Sequence, residues 1–142
     1  MTNDEEAVWT KIRIRQTPDE LVKYGPTIEV KVSAIKGREV LSVLAQIDTG
    51  AAGTGISKRL AEKLALESVA FGKVHQPGLP EITAPYFRVR LEFPSVEIES
   101  DVVGLVTLDP PHDILIGRDI LVNSRMIVDF TQGITAVQFR SS

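Results

Sequence analysis

Apolar and polar residues alternate along much of the chain, with the two-residue period of half-buried strands. The alternation predicts strands at about residues 8–15, 27–35, 69–74, 86–93, 96–106, 126–130 and 134–139. One more run, residues 39–47, is almost wholly apolar from Val40 to Ala45, so we expect this strand to be buried on both faces. A short apolar segment, 113–116, follows later in the chain.

Two helices interrupt the predicted strands. The main one begins after Ser57, a good N-cap, because Leu60 and Leu64 lie four residues apart on one face, and we expect it to end near Leu66. A brief helix is predicted from residue 118 to about 123. Many short strands with one main helix and one short helix predict an all-β fold, a closed or folded-over β-barrel.

The first 26 residues form an N-terminal arm that is distinct from the rest of the predicted domain, residues 27–140. Thr17 and Glu20 have the spacing of a helix capping box, and Gly25 ends that short turn. The arm could lie on the core, pair with a second copy of the chain or be partly disordered, and the sequence leaves these alternatives open.

Composition narrows the possible chemistry. The 142 residues include 16 Lys and Arg against 19 Asp and Glu, and the net charge of −3 predicts no binding to nucleic acid or to membranes. With no cysteine, the chain has no disulfide, thiol nucleophile or thiolate metal site. His75 and His112 lack metal-ligand spacing and are expected in surface loops. Because the N-terminus is acidic where a secretory signal would be basic, the chain is expected to be cytoplasmic.

The chemically informative segment is Asp48-Thr49-Gly50, where an apolar strand runs into an acid, a hydroxyl and a glycine. An unpaired carboxylate at the end of a buried strand is costly, which suggests a function. Asp and Gly are also common in turns, so the triplet alone is compatible with an ordinary turn. A second segment, 113–119, is an apolar stretch that ends in Gly117 before a predicted helix.

These two motifs, in this order, resemble those of the retropepsin-like aspartic proteases, the single-domain relatives of pepsin. Residues 47–51, Ile-Asp-Thr-Gly-Ala, match the catalytic loop of the family, and residues 114–119, Ile-Leu-Ile-Gly-Arg-Asp, match its second signature. The resemblance covers about residues 27–139. It implies an acid-protease β-barrel and an aspartic endopeptidase that needs no metal or organic cofactor. In such enzymes an ionised aspartate activates a water, and a protonated partner donates to the substrate carbonyl.

The chain has one Asp-Thr-Gly triplet and no Asp-Ser-Gly, so the resemblance implies a homodimer in which each subunit contributes one Asp48. Thr49 would form hydrogen bonds across the twofold axis, and Gly50 would let the substrate backbone approach closely. Gly117 would let the apolar segment pack beneath the catalytic loop. The residues expected to support the site in this way are Ile114, Leu115, Ile116, Gly117 and Arg118.

The resemblance also implies a flap, a hairpin that closes over the peptide substrate. The candidate is about residues 74–85, where prolines replace the glycine-rich tip of retroviral relatives and predict a stiffer flap. The residues expected to contact substrate are Ala51, Ala52, Gln76, Pro77, Gly78 and Leu79.

A second departure from the retroviral pattern concerns Arg118. Retroviral relatives have an acid shortly after the triplet that pairs with this arginine, but here residues 51–53 are Ala-Ala-Gly. We therefore expect Arg118 to pair with Asp119, Asp129 or an acid of the arm, unless it is simply exposed. The small side chains at 51–53 also predict a preference for small or apolar residues beside the cleaved bond.

Two other functions compete with proteolysis. The glycine-rich segment 50–55 could cradle a phosphate, but it lacks the Lys and the Ser or Thr of a P-loop, and the chain after Leu66 reads as strand after strand. A catalytically silent domain of the same fold could instead bind a peptide in its groove as an added strand. The intact Asp48 argues against this second alternative, because a groove that only binds peptides has no need of an acid there.

Overall fold

The computed structural model describes residues 8–76, 78–94, 96–105 and 107–141. The strands in these ranges are β1 (Val8–Arg15), β2 (Thr27–Ala34), β3 (Val40–Ile47), β4 (Gly55–Ser57), β5 (Ala70–Val74), β6 (Ile82–Phe93), β7 (Val96–Leu105), β8 (His112–Ile116), β9 (Ser124–Asp129) and β10 (Ile134–Ser141). The helices are α1 (Pro18–Tyr24), α2 (Lys58–Lys63) and α3 (Arg118–Leu121). Each of these helices falls short of the length and apolarity that a bilayer span needs.

Six of the strands close into a barrel. Their order is β2, β3, β8, β4, β7 and β6, and β6 returns to pair with β2. The neighbours run antiparallel except for two parallel pairs, β3 with β8 and β4 with β7. Strand β5 continues the sheet beyond β6 and lies outside the ring. The predicted all-β closed barrel is therefore confirmed.

The barrel interior is filled by aliphatic side chains from alternate positions of its strands, as the two-residue period requires. Fully buried examples are Ile28, Val30, Val32, Val89, Leu91, Val102, Ile114 and Ile116. The expectation that β3 is buried on both faces is wrong, because Val40 is 46% exposed and Leu44 is 38% exposed. The apolar run covers both faces of this strand, but the barrel interior lies against only one of them.

The N-terminal arm packs on its own chain over its described part. Strand β1 pairs antiparallel with β10, which pairs in turn with β9, and the three strands form a second sheet. Helix α1 begins with the predicted capping box, since the Thr17 hydroxyl accepts the Glu20 N–H and the Glu20 carboxylate accepts the Thr17 N–H. The helix buries Leu21, and the Gln16 side chain donates to the Gly25 carbonyl while accepting the Thr27 N–H.

Several elements differ from the sequence-based expectation, most clearly α2, β6 and β4. Helix α2 keeps its Ser57 cap but ends at Lys63 rather than near Leu66, because Ala65 takes the left-handed backbone conformation with φ of 51°. Strand β6 starts four residues earlier than expected, at Ile82, and continues through Pro85. Strand β4 was not expected, since three residues are too few to show a period.

Candidate active site

The Asp48-Thr49-Gly50 loop leaves the barrel at the end of β3, beside the end of β8. Ile47 and Ile116 are buried neighbours in the parallel ladder, and the Asp48 N–H donates to the Ile116 carbonyl at 2.9 Å. The first residue of the loop is thus held by the barrel itself. This arrangement places an acid at a fixed point on the barrel rim.

The Asp48 side chain is half-buried, and its Oδ1 atom accepts the Gly50 N–H at 2.8 Å. The Ala51 N–H donates to the Asp48 carbonyl at 3.2 Å, so the loop turns tightly and exposes Thr49 and Gly50. In the part of the chain that the structure describes, no cationic side chain lies within 4.0 Å of this carboxylate. Among the described residues, this half-buried acid is therefore held by a main-chain N–H and not by an ion pair.

Gly117 lies directly beneath the loop, where only a glycine fits. A Cβ atom at this position would stand 2.3 Å from the Gly53 carbonyl oxygen and 3.0 Å from that of Ala51. Real Cβ atoms do not approach backbone this closely. The second motif and the loop are therefore packed backbone against backbone, with Ile114 and Ile116 fully buried below them.

Arg118 binds the loop through main-chain atoms instead of forming the expected ion pair. Its Nη1 atom donates to the Thr49 carbonyl at 2.8 Å, and its own N–H donates to the Ala51 carbonyl at 2.8 Å. Among the described carboxylates, none lies within 4.0 Å of its guanidinium group, so the expected pairing with Asp119 or Asp129 is wrong. Arg118 is exposed, as the other alternative expected, and the arm acids at positions 4–6 lie outside the described residues. The Thr49 carbonyl supplies an acceptor where the chain has no acid.

Sequence reasoning missed a polar pair next to this loop, in which the buried Thr54 is bound to the exposed Asp119. The Thr54 side chain is 1% exposed, and its hydroxyl donates to Asp119 Oδ1 at 2.7 Å. The Thr54 N–H donates to Asp119 Oδ2 at 3.2 Å, and the Gly117 N–H donates to the Thr54 hydroxyl oxygen at 3.1 Å. The sequence contained one signal for this pair, a threonine that stands between two glycines, Gly53 and Gly55.

The candidate flap is the hairpin of β5 and β6. Near its tip, the Gln76 amide donates to the Thr107 hydroxyl at 2.6 Å. Lys73 forms an ion pair with Glu81, and the His75 Nε2 atom contacts the same carboxylate. Gly78 and Leu79 are exposed at the tip, whereas Pro77 lies outside the described residues. Gln76 therefore contacts the segment after β7, while Ala51 and Ala52 lie in the loop that begins at Asp48.

An apolar cluster connects this hairpin with the second motif. It contains buried residues from β6 and β7 and half-buried ones from the hairpin and from β8. Its members are Val74, Ala84, Tyr86, Val103, Leu105, Leu108 and Leu115. Leu115 of β8 is the residue through which the second motif takes part in this cluster.

His112 is buried, which corrects the expectation that it lies in a surface loop. It is 5% exposed, its Nε2 atom lies 2.9 Å from the Thr27 hydroxyl, and its ring contacts the edge of Tyr24. Burial lowers the pKa of its imidazole, although the nearby Asp113 carboxylate opposes this shift. His75 is exposed. Within the described ranges, no cluster of three His, Asp or Glu residues could hold a metal ion.

Comparison with known proteins identifies a structural neighbour but no close relative in sequence. No family model matches the chain, and no curated protein matches it. A retropepsin-like aspartic protease from Rickettsia conorii superposes with a TM-score of 0.65 over 96% of each chain, at 17% identity. A protein of unknown function from Legionella pneumophila gives a TM-score of 0.40 at 14% identity, over 66% of this chain and 83% of that one. The Rickettsia likeness concerns the fold.

Proposed function

We propose that this chain, which has the retropepsin-like fold, is an aspartic endopeptidase that acts as a homodimer. One observation supports this function best. A half-buried aspartate with no cationic partner among the described residues is presented on the barrel rim by a loop held at both ends. A loop that only turned the chain would not require the close packing of Gly117 against Gly53.

The proposed chemistry needs two carboxylates, and one chain contributes one. In the dimer, the Asp48 side chains of the two subunits meet at the twofold axis and share a proton, because two adjacent carboxylates do not both ionise readily. The ionised one takes a proton from a water molecule, and the water attacks the peptide carbonyl. The protonated one donates to the carbonyl oxygen, and the pair, rather than either residue, has the apparent pKa values.

The exposed residues of the loop and hairpin have supporting roles in this proposal. Thr49 forms hydrogen bonds with its counterpart across the axis, and Gly50 leaves room for the substrate backbone. Ala51 and Ala52 form a wall of small side chains beside the cleaved bond. The substrate is a peptide in extended conformation, covered by the tip of the β5–β6 hairpin with Gln76, Pro77, Gly78 and Leu79.

The decisive experiment compares the wild-type chain with Asp48→Asn. We expect the wild type to cleave a denatured protein between about pH 4 and 6, and the variant to be inactive because it lacks the carboxylate that activates the water. Hydroxyl-containing analogues of the tetrahedral intermediate should inhibit the wild type. Sedimentation should show a dimer of a 15.6 kDa chain, and full activity in a strict monomer would refute the shared site.

The alternative, a silent domain that binds peptides in its groove, would be favoured by one result. A wild-type protein that is dimeric but cleaves nothing would have lost the reaction and kept the groove. The cytoplasmic location and the lack of nucleic acid and membrane partners stay predictions, which cell fractionation and binding assays can test.

A further inference from the structure

We propose that Thr54 and Asp119 are positioning residues that orient Asp48 through a chain of hydrogen bonds. The inference rests on the proposed function and extends it to two residues behind the catalytic loop. Neither residue belongs to the Asp48-Thr49-Gly50 triplet, and the Thr54 side chain is buried. They act through the main chain and not by contact with substrate.

The chain of hydrogen bonds begins at the Asp48 main chain. The Asp48 N–H donates to the Ile116 carbonyl at 2.9 Å. This carbonyl and the Gly117 N–H belong to one peptide group, and the Gly117 N–H donates to the Thr54 hydroxyl oxygen at 3.1 Å. The Thr54 hydroxyl then donates to Asp119 Oδ1 at 2.7 Å. All three bonds point in one direction, from Asp48 to a carboxylate.

Such an arrangement is cooperative, because each donor in a directed chain is polarised by the next bond. The terminal acceptor is an anion, and hydrogen bonds to ionised acceptors are the stronger kind. Asp119 is itself fixed, since its carboxylate also accepts the N–H groups of Thr54 at 3.2 Å and Ile120 at 2.9 Å. The hydrogen bonds thus connect the main chain of Asp48, through the Gly117 N–H and the Thr54 hydroxyl, to the Asp119 carboxylate.

The test uses the shape-preserving substitution Thr54→Val, which removes the hydroxyl, and Thr54→Ser, which restores it. We expect Thr54→Val to lower kcat by about ten- to a hundredfold with little change in KM, since small displacements of catalytic groups cost rates of this size. Thr54→Ser should recover most of the rate. Asp119→Asn, which removes the charge but leaves one acceptor oxygen, should lie between Thr54→Val and the wild type.

A matched control is available in the same chain. Thr135 is completely buried, and its hydroxyl has no hydrogen-bond partner within the described structure. Thr135→Val therefore makes the same chemical change without breaking a bond, and it should leave kcat and KM unchanged. Sedimentation of each variant shows whether the dimer persists, so that loss of assembly is not mistaken for loss of positioning.

Two results would overturn the proposal: an unchanged kcat in a dimeric Thr54→Val protein, or a Thr54→Ser protein as impaired as Thr54→Val. Amide hydrogen exchange provides a readout that does not need activity. The Gly117 amide should exchange faster in Thr54→Val than in the wild type, Thr54→Ser or Thr135→Val. Slow Gly117 exchange in the wild type, lost in Thr54→Val, would support the chain of bonds even if the wild type proved inactive; equal exchange would refute it.

Discussion

The guanidinium group of Arg118 donates a hydrogen bond from Nη1 to the Thr49 carbonyl at 2.8 Å, so the second motif binds the centre of the catalytic triplet directly. The bond requires no acid in the loop, which explains how Arg118 is held although residues 51 and 52 are both alanine. It also fixes the backbone of Thr49 from below while the side chain of Thr49 remains exposed.

Replacement of Arg118 by lysine should therefore weaken catalysis more than stability. Lysine keeps the charge but loses the planar donor group that reaches the Thr49 carbonyl. We expect kcat/KM to fall by about three- to tenfold, while the free energy of unfolding of this exposed site changes by less than about 0.5 kcal/mol. Steady-state kinetics and urea unfolding measure the two effects.

The control for this substitution is Arg88→Lys. Arg88 is also exposed, and its Nη1 atom lies 3.0 Å from Asp101 on the β6–β7 hairpin. Its change should leave kcat/KM at the wild-type value. Equal losses in the two variants would show that the Arg118 contact has no particular role in the loop.

Gly117→Ala should disrupt both folding and activity, because the new methyl group would lie 2.3 Å from the Gly53 carbonyl oxygen. Backbone on both sides must shift to admit it, and overpacking of this kind costs about 1–3 kcal/mol. The matched control is Gly53→Ala on the other side of the same contact. A Cβ atom there meets no atom within 4 Å, and the Gly53 backbone is not left-handed.

Urea unfolding and cleavage assays on the two glycine variants distinguish a packing requirement from a general intolerance of the loop to change. We expect Gly53→Ala to match the wild type in urea unfolding and to cleave substrate much faster than Gly117→Ala. If Gly117→Ala were as stable and as active as Gly53→Ala, the close contact between the loop and the second motif would have no functional importance.

Periodicity alone predicted most of the barrel, because a strand with one face on the core must alternate along its length. It failed where a feature depends on how two elements pack against each other. The apolar residues of β3 do not reveal which face of the strand is covered, so the exposure of Val40 could not be predicted. Strand β4 is defined by its pairing with β7 and β8 and not by any pattern of its own three residues.

The candidate site shows the same division. Asp48 and Gly117 stand in local motifs that a single sequence reveals, whereas the partners of Thr54 and Arg118 depend on how two distant segments meet. The contact of the Thr54 hydroxyl with Asp119 spans 65 residues. Likewise, nothing in the sequence indicates that His112 is buried against the Thr27 hydroxyl, which lies 85 residues away along the chain. His112 was therefore predicted to lie in a loop.

His112 should make the folded state less stable as the pH falls. Burial lowers the pKa of its imidazole below the ordinary value of 6.5, so the unfolded chain takes up a proton before the folded one does. Its contribution to stability is complete above the unfolded pKa of about 6.5. That contribution is lost progressively as the pH drops below 6.5 and through the folded pKa.

Urea unfolding midpoints at a series of pH values, for the wild type and for His112→Gln, measure this contribution. Glutamine can still reach the Thr27 hydroxyl but does not titrate. We expect the variant to lose less stability than the wild type between neutral and mildly acidic pH. Parallel curves for the two proteins would show that His112 is not the group responsible.

Mixing experiments should reveal the shared site, because an active dimer needs an Asp48 from each chain. When Asp48→Asn protein is added in excess to the wild type and the subunits exchange, most wild-type chains enter mixed dimers. Each mixed dimer has only one Asp48 carboxylate. Activity should then fall toward the small fraction of dimers that contain two wild-type chains.

Excess Asp48→Asn protein that also carries Gly117→Ala should inhibit less if its disturbed loop no longer supports assembly. Activity that stays proportional to the amount of wild-type chain at every ratio, with exchange verified by differently labelled subunits, would mean that one chain holds a complete site.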